Sequence, residues 1–284
     1  MKKGRRDHYL PQGYMRGFID PARESLPEPL WYLDVPYKKW SERSTKQVGY
    51  RTGFYDYMGE APELDSLPSA DSAFLKLEND FPVIRAKLLA KHFRNWRKHL
   101  DFLLRYMQMI RARSPLFFEQ KDTEGKALQT WTVKDVHPDG KTLTLTSMEP
   151  SRPPPAFIKN RAITHMRDEI QKGAVWLWDF NWCLRCCQSV AEPFITSETP
   201  LVAKGSMMTE GSPADVTQAL QCPDTLLYFP LCWQACLIGS RQRFDAGTDK
   251  FGSEDMRTFR RKYRHFAQVF LLSPTKLDDI SAPI

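Results

Sequence analysis

Apolar residues recur at helical spacing in five stretches of this chain. The first follows Pro11, where Tyr14, Met15, Phe18 and Ile19 share a face and Asp20-Pro21 stops the run. In the second, Phe74, Leu77, Phe81, Ile84 and Leu88 keep the helical period behind a cap at Asp71 or Ser72. Pro82 lies inside that run and leaves the Glu78 carbonyl without its helical donor, which predicts a kink or a restart. The third is the clearest. Phe93, Trp96, Leu100, Leu103, Leu104, Met107 and Ile110 form one face, and Arg94, Lys98, Asp101, Arg105 and Gln108 the other. Arg113-Ser114-Pro115 closes it. A fourth helix is predicted over 156–172 with Phe157, Ile163, Met166 and Ile170 inward. A fifth runs from Ser253 to Gln268 with Met256, Phe259, Tyr263, Phe266 and Ala267 inward.

Elsewhere the pattern is that of strands. Leu30 to Leu33 and Lys39 to Val48 flank a turn at Asp34-Val35-Pro36-Tyr37. Between 128 and 147, Trp131 and Val133 answer Leu143 and Leu145 across Pro138-Asp139-Gly140, a predicted hairpin, and Pro150 to Pro155 is a stiff connector. Trp176, Trp178, Phe180 and Trp182 alternate with Leu177, Asp179 and Asn181, the signature of a strand with one aromatic face. Phe194-Ile195 is apolar and turns abruptly polar at Thr196-Ser197-Glu198-Thr199-Pro200. Leu226 to Leu231 and Ala235 to Ile238 are two more short apolar runs. The expected fold is a single α+β domain over 1–284, its helical N-terminal half packed against a mainly antiparallel sheet from the C-terminal half, with 273–284 as a tail.

Composition adds a core and a charge asymmetry. Eight Trp and 17 Phe in 284 residues suit a packed globule rather than disorder. No apolar run reaches the ~18 residues of a membrane span. Met1 to Arg6 is charged and no apolar stretch follows it, so the expected location is the cytoplasm. The net charge of +7 concentrates between Arg85 and Arg113, where nine Lys or Arg face the single acid Asp101. That segment suits nucleic acid or another polyanion, with Arg94, Lys98, Arg105 and Arg113 as binding residues; the alternative is a solvated charged helix face. Phe93 and Trp96 stand among these charges at core positions, which favours phosphate contact over base stacking.

Several residues carry chemistry that a core does not require. His8 lies just before the first helix, whose positive end opposes protonation, and Arg16 projects from that helix. Arg111 continues the inward line of the third helix, where a charge needs a partner, and Glu78 borders the second helix's apolar stripe. Their mutual pairing is the expected solution. Cys183-x-x-Cys186-Cys187 and Cys232-x-x-x-Cys236, with Cys222 apart, have tolerable zinc-ligand spacing but sit in apolar stretches, so reduced thiols are expected and no metal ligand is assigned. No phosphate-binding glycine loop, nucleophile elbow or His-Glu-x-x-His occurs, and no cofactor is implied.

Taken in order, His8-Tyr-Leu-Pro-x-x-Tyr-Met-Arg-x-Phe18, Phe54-Tyr55, Glu78, Arg111-x-Arg-x-Pro115, Phe194-Ile-Thr-Ser-Glu-Thr-Pro200 and Phe229-Pro-Leu231 resemble the mainly bacterial family known as domain of unknown function 4238. The resemblance spans about residues 7–272. Family members usually carry Ser-Asp-Asn-Pro where this chain has Ser197-Glu198-Thr199-Pro200. It supplies a list of suspects and no reaction: His8, Arg16, Glu78, Arg111, Ser197 and Glu198 offer a base, two guanidiniums, two carboxylates and a hydroxyl. Two functions follow. One is a hydrolase or nuclease-like enzyme acting on a phosphate-bearing substrate, with His8 approaching the Ser197-Glu198 turn. The other is a non-catalytic interaction protein whose polar cluster is a structural ion-pair network.

Overall fold

The computed structural model describes residues 6–20, 22, 28–58, 70–128, 130–133, 148–151, 153–187, 189–205, 221–244 and 253–280. The fold is α+β, with its helices mostly in the first half and antiparallel strands dominating later. Strand β1 (Arg6–His8) leads into a short helix α1 (Gln12–Met15), continued by a 3-10 turn at Arg16–Phe18. The Pro11 carbonyl starts α1 by accepting the Tyr14 and Met15 amides at 3.0 and 3.1 Å. Strands β2 (Pro29–Asp34) and β3 (Lys39–Ser44) form the expected hairpin, and β4 (Tyr50–Thr52) pairs with β1.

Helix α2 (Ala70–Ala90) runs unbroken through Pro82. No restart occurs, and the proline ring packs on α1: a Cβ on Gly13 would lie 2.9 Å from the Pro82 ring. Helix α3 (Leu100–Arg113) begins later than its apolar period, after a 3-10 turn at Trp96–His99. Ser114 and Pro115 do not merely end it. The Ser114 hydroxyl accepts the Phe117 amide at 3.2 Å and Pro115 occupies the first helical turn, starting a further helix α4 (Pro115–Lys126). Strand β5 (Thr130–Val133) pairs with β6 (Met148–Ser151), so Pro150 lies in a strand rather than in a connector. Pro138-Asp139-Gly140, Leu143 and Leu145 lie outside the described residues.

Helix α5 (Pro155–Gln171) buries Ile158, Ala162, Ile163 and Met166. Phe157, expected inward, is 47% exposed, and its neighbour Ile158 takes the inward place against Gly125 of α4. The aromatic stretch from 176 is not a strand. It forms a 3-10 turn, Val175–Asp179, held by the Trp182 indole donating to the Leu177 carbonyl at 2.8 Å. Strand β7 (Asn181–Cys186) starts only after it. The remaining elements are β8 (Thr196–Ser197), β9 (Val202–Lys204), β10 (Leu226–Cys232), β11 (Ala235–Ser240), helix α6 (Ser253–Phe266) and β12 (Phe270–Ser273).

Two four-stranded sheets result, ordered β7-β11-β10-β9 and β3-β2-β12-β8. Both faces of the first are covered, which explains why β10 and β11 read as continuous apolar runs. Leu227, Phe229, Leu231, Ala235 and Leu237 join a core with α1, α2 and α3. Cys236 and Ile238 join a second with Phe194, α6 and Leu271. The expected tail docks there too, with Leu277 and Ile280 buried.

Candidate functional site

Three of the candidate residues meet in one polar network at the opening segment. The Arg113 guanidinium is its hub: Nε donates to the Tyr55 hydroxyl at 2.8 Å, another nitrogen donates to the His8 carbonyl, and Nη1 pairs with the Glu78 carboxylate. The group stacks on Phe74, 4.5 Å from the ring centre. Asp7, beside His8, accepts the Tyr55 amide at 3.1 Å. On the other side, Glu28 accepts from both Arg16 and the Thr45 hydroxyl. Burial would raise the Glu28 carboxyl, but those two donors outweigh it and leave it below the usual carboxylate range.

The His8 imidazole sits between these halves, against the Tyr50 ring at 5.7 Å. Desolvation chiefly, then the Arg113 charge, hold it below the ordinary histidine range, against a backbone group of Thr45 that favours its protonation. Its Nε2 is buried without a hydrogen-bond partner. The imidazole is thus kept neutral.

The expected pair of Glu78 with Arg111 does not form. Arg111 leaves α3 toward α5, reaching Glu169 at 3.4 Å and lying over Phe117 and Trp176. Arg113 is two residues on, about 200° around the helix, and faces α2 and β1 instead. Gln108 completes the α5 contact by donating to Glu169 at 3.2 Å and accepting the Trp176 indole at 3.0 Å.

Ser197 and Glu198 are also committed internally. The Ser197 hydroxyl donates to the Thr199 carbonyl at 3.0 Å and accepts its amide at 3.1 Å. The Glu198 carboxylate accepts the amides of Gln268, Val269 and Phe270, at 2.6, 3.1 and 3.1 Å, fixing the approach to β12. Burial pushes its carboxyl up and those amides pull it back. His8 does not reach this turn: among the described residues its imidazole meets none of 196–198. The opening segment docks there through Tyr14, whose hydroxyl donates to the Pro230 carbonyl at 2.7 Å and lies 3.0 Å from the Thr196 hydroxyl.

A different feature is open to solvent. Between α2 and α3, His92 and Phe93 adopt φ of +45° and +61°, the left-handed region. This reverses the chain, and the Phe93 amide closes the turn on the Leu88 carbonyl at 2.8 Å. Phe93 is buried as an anchor, so His92, Arg94, Arg97 and Lys98 project outward. Together with Trp96 they line one side of a cleft of about 580 Å³. Cys183, Leu184 and Cys186 of β7 line the other. Of the nine basic residues between 85 and 113, six are exposed: Lys87, Lys91, Arg94, Arg97, Lys98 and Arg105. Arg113 is a correction to the expected binding surface, being 3% exposed and turned inward to Glu78, Tyr55 and the His8 carbonyl. Arg85 turns inward as well, donating to the Gly13 and Tyr14 carbonyls at 2.7 and 3.2 Å.

Tyr55, Thr45 and Glu28 were not legible as network members. Phe54-Tyr55 stood in the motif order, but nothing local marks a tyrosine as an arginine's acceptor. A family model matches residues 6–267. The chain belongs to that family, described as "Protein of unknown function (DUF4238)". The motifs running from His8 through Leu231 all lie inside the matched span. No curated protein and no solved structure matches the chain significantly. Among the described residues, no helix is long and apolar enough to cross a membrane. Nor do three or more His, Cys, Asp or Glu among them converge to hold a metal ion.

Proposed function

We propose that this protein is a cytoplasmic, non-catalytic interaction protein that binds nucleic acid or a similar polyanion through the cleft at 92–98, and that its polar cluster is a structural network. One observation carries this reading. Three of the six exposed cations, Arg94, Arg97 and Lys98, line an open cleft, while Glu78, Ser197 and Glu198 are consumed by internal bonds. Each phosphate neutralised on a duplex contributes a slope of about −0.9 to log K against log salt. Replacing Arg94, Lys98 and Arg105 together by Gln is expected to weaken binding to labelled duplex DNA and to flatten that slope, read by fluorescence anisotropy. Affinity and slope unchanged by the triple substitution overturn the proposal.

The second reading, a hydrolase or nuclease-like enzyme on a phosphate-bearing substrate, draws on His8. Its neutral imidazole keeps an Nε2 acceptor with no internal partner, which can act as a general base only where a substrate reaches it. On this reading His8→Ala abolishes phosphodiester hydrolysis with little change in Tm. A lowered Tm with no activity to lose returns His8 to the scaffold.

A further inference from the structure

We infer that the cleft at 92–98 selects single-stranded nucleic acid over duplex, an inference that rests on the polyanion-binding reading and specifies its ligand. The cleft is concave, and its volume of about 580 Å³ falls within the ~300–1,000 Å³ of recesses that enclose a small ligand. It admits a nucleotide unit of an extended strand, whereas a duplex presents its phosphates on a convex cylinder. The floor suits a base. Trp96 is half-buried against the core, and the Arg97 guanidinium lies over its ring, 5.5 Å from the centre. A planar cation held over an indole makes a platform that a base of any identity extends.

The far wall supports the same ligand. β7 ends its sheet, and both Cys183 and Leu184 reach the cleft although successive side chains point to opposite faces. Among the described residues, the strand therefore presents its edge to the cleft. Among the described residues, no carboxylate lines the cleft, so nothing there repels a phosphate. A strand edge also suits an acidic peptide adding as a further strand, but such a peptide has no use for the Trp96–Arg97 contact.

The test measures anisotropy of the full chain with labelled oligothymidylate, a duplex of equal length and poly-glutamate at matched salt. Oligothymidylate is expected to bind about tenfold more tightly than duplex. Arg97→Lys keeps the charge and removes the planar guanidinium over the ring; it is expected to keep the salt slope and lose most of that preference. Trp96→Phe is expected to retain the preference and Trp96→Leu to lose it. Arg97 is exposed, so its substitution leaves the fold intact and decides the matter if Trp96→Leu misfolds. Duplex bound as tightly as single strand, a preference that survives Arg97→Lys, or poly-glutamate bound equally well each overturns the inference. Salt-sensitive binding without strand preference sinks this inference alone, whereas no binding of any polyanion sinks the underlying reading too.

Discussion

Arg113 joins three parts of the chain that are far apart in sequence: α2, through Glu78 and the ring of Phe74, then Tyr55 and His8. Its side chain is 4% exposed and that of Glu78 27%, so removing one partner strands a desolvated charge. Arg113→Met or Glu78→Ala is expected to cost about 3–5 kcal/mol in denaturant unfolding. A double-mutant cycle should find coupling above ~0.5 kcal/mol between 78 and 113 and none between 78 and 111. Coupling of Glu78 to Arg111 instead would contradict the assignment. His8 sets a pH dependence. Its folded pKa lies below the ordinary 6.5, so the unfolded chain takes up a proton that the folded one refuses. The stabilisation is therefore complete above about 6.5 and lost as the pH falls from there through the folded pKa. His165 is shifted the same way, chiefly by burial, and adds to the trend. His8→Gln is expected to flatten part of the decline in Tm on acidification; an unchanged profile would show that His8 titrates normally.

Among the elements, α1 and its 3-10 turn are too short to persist alone and owe their form to docking. Tyr14 packs among Phe18, Phe81, Tyr106 and Phe229 while its hydroxyl serves Pro230 and Thr196. Pro230 brings no amide to the β10 ladder, and the register shifts between it and Cys232. The β10–β11 turn then meets the opening segment through the Trp233 amide, which donates to the Gly17 carbonyl at 2.9 Å. Gly17 is required there. A Cβ would stand 2.8 Å from Arg85 Nη1, 3.0 Å from the Cys232 Cβ and 3.1 Å from the Leu231 carbonyl. Gly17→Ala is expected to destabilise by about 1–3 kcal/mol in urea unfolding, since two of those neighbours are fixed by the hairpin. An unchanged midpoint would mean that the hairpin yields easily.

At the scale of the whole molecule, strands distant in sequence make each sheet, and the last of them matters most. β12 lies between β2 and β8, joining residues near 30, 196 and 271. The sequence by itself determined the α+β class, the helices of long apolar period, the paired strands at 29–44, the two apolar runs at 226–231 and 235–238, and the basic excess between 85 and 113. These are local properties, readable because side-chain period and charge are carried by neighbouring residues. Only the tertiary structure decided that Arg113 rather than Arg111 takes Glu78, because a rotation of about 200° on α3 is settled by which helices pack around it. It also decided that Tyr14 rather than His8 meets the 196–198 turn. The four residues of β12 are too few to show a period, and their place between β2 and β8 is set by partners near 30 and 196 that no local pattern names. The cleft is likewise a product of assembly, made where a left-handed turn at His92 and Phe93 comes to lie against the edge of a strand some 90 residues further along the chain.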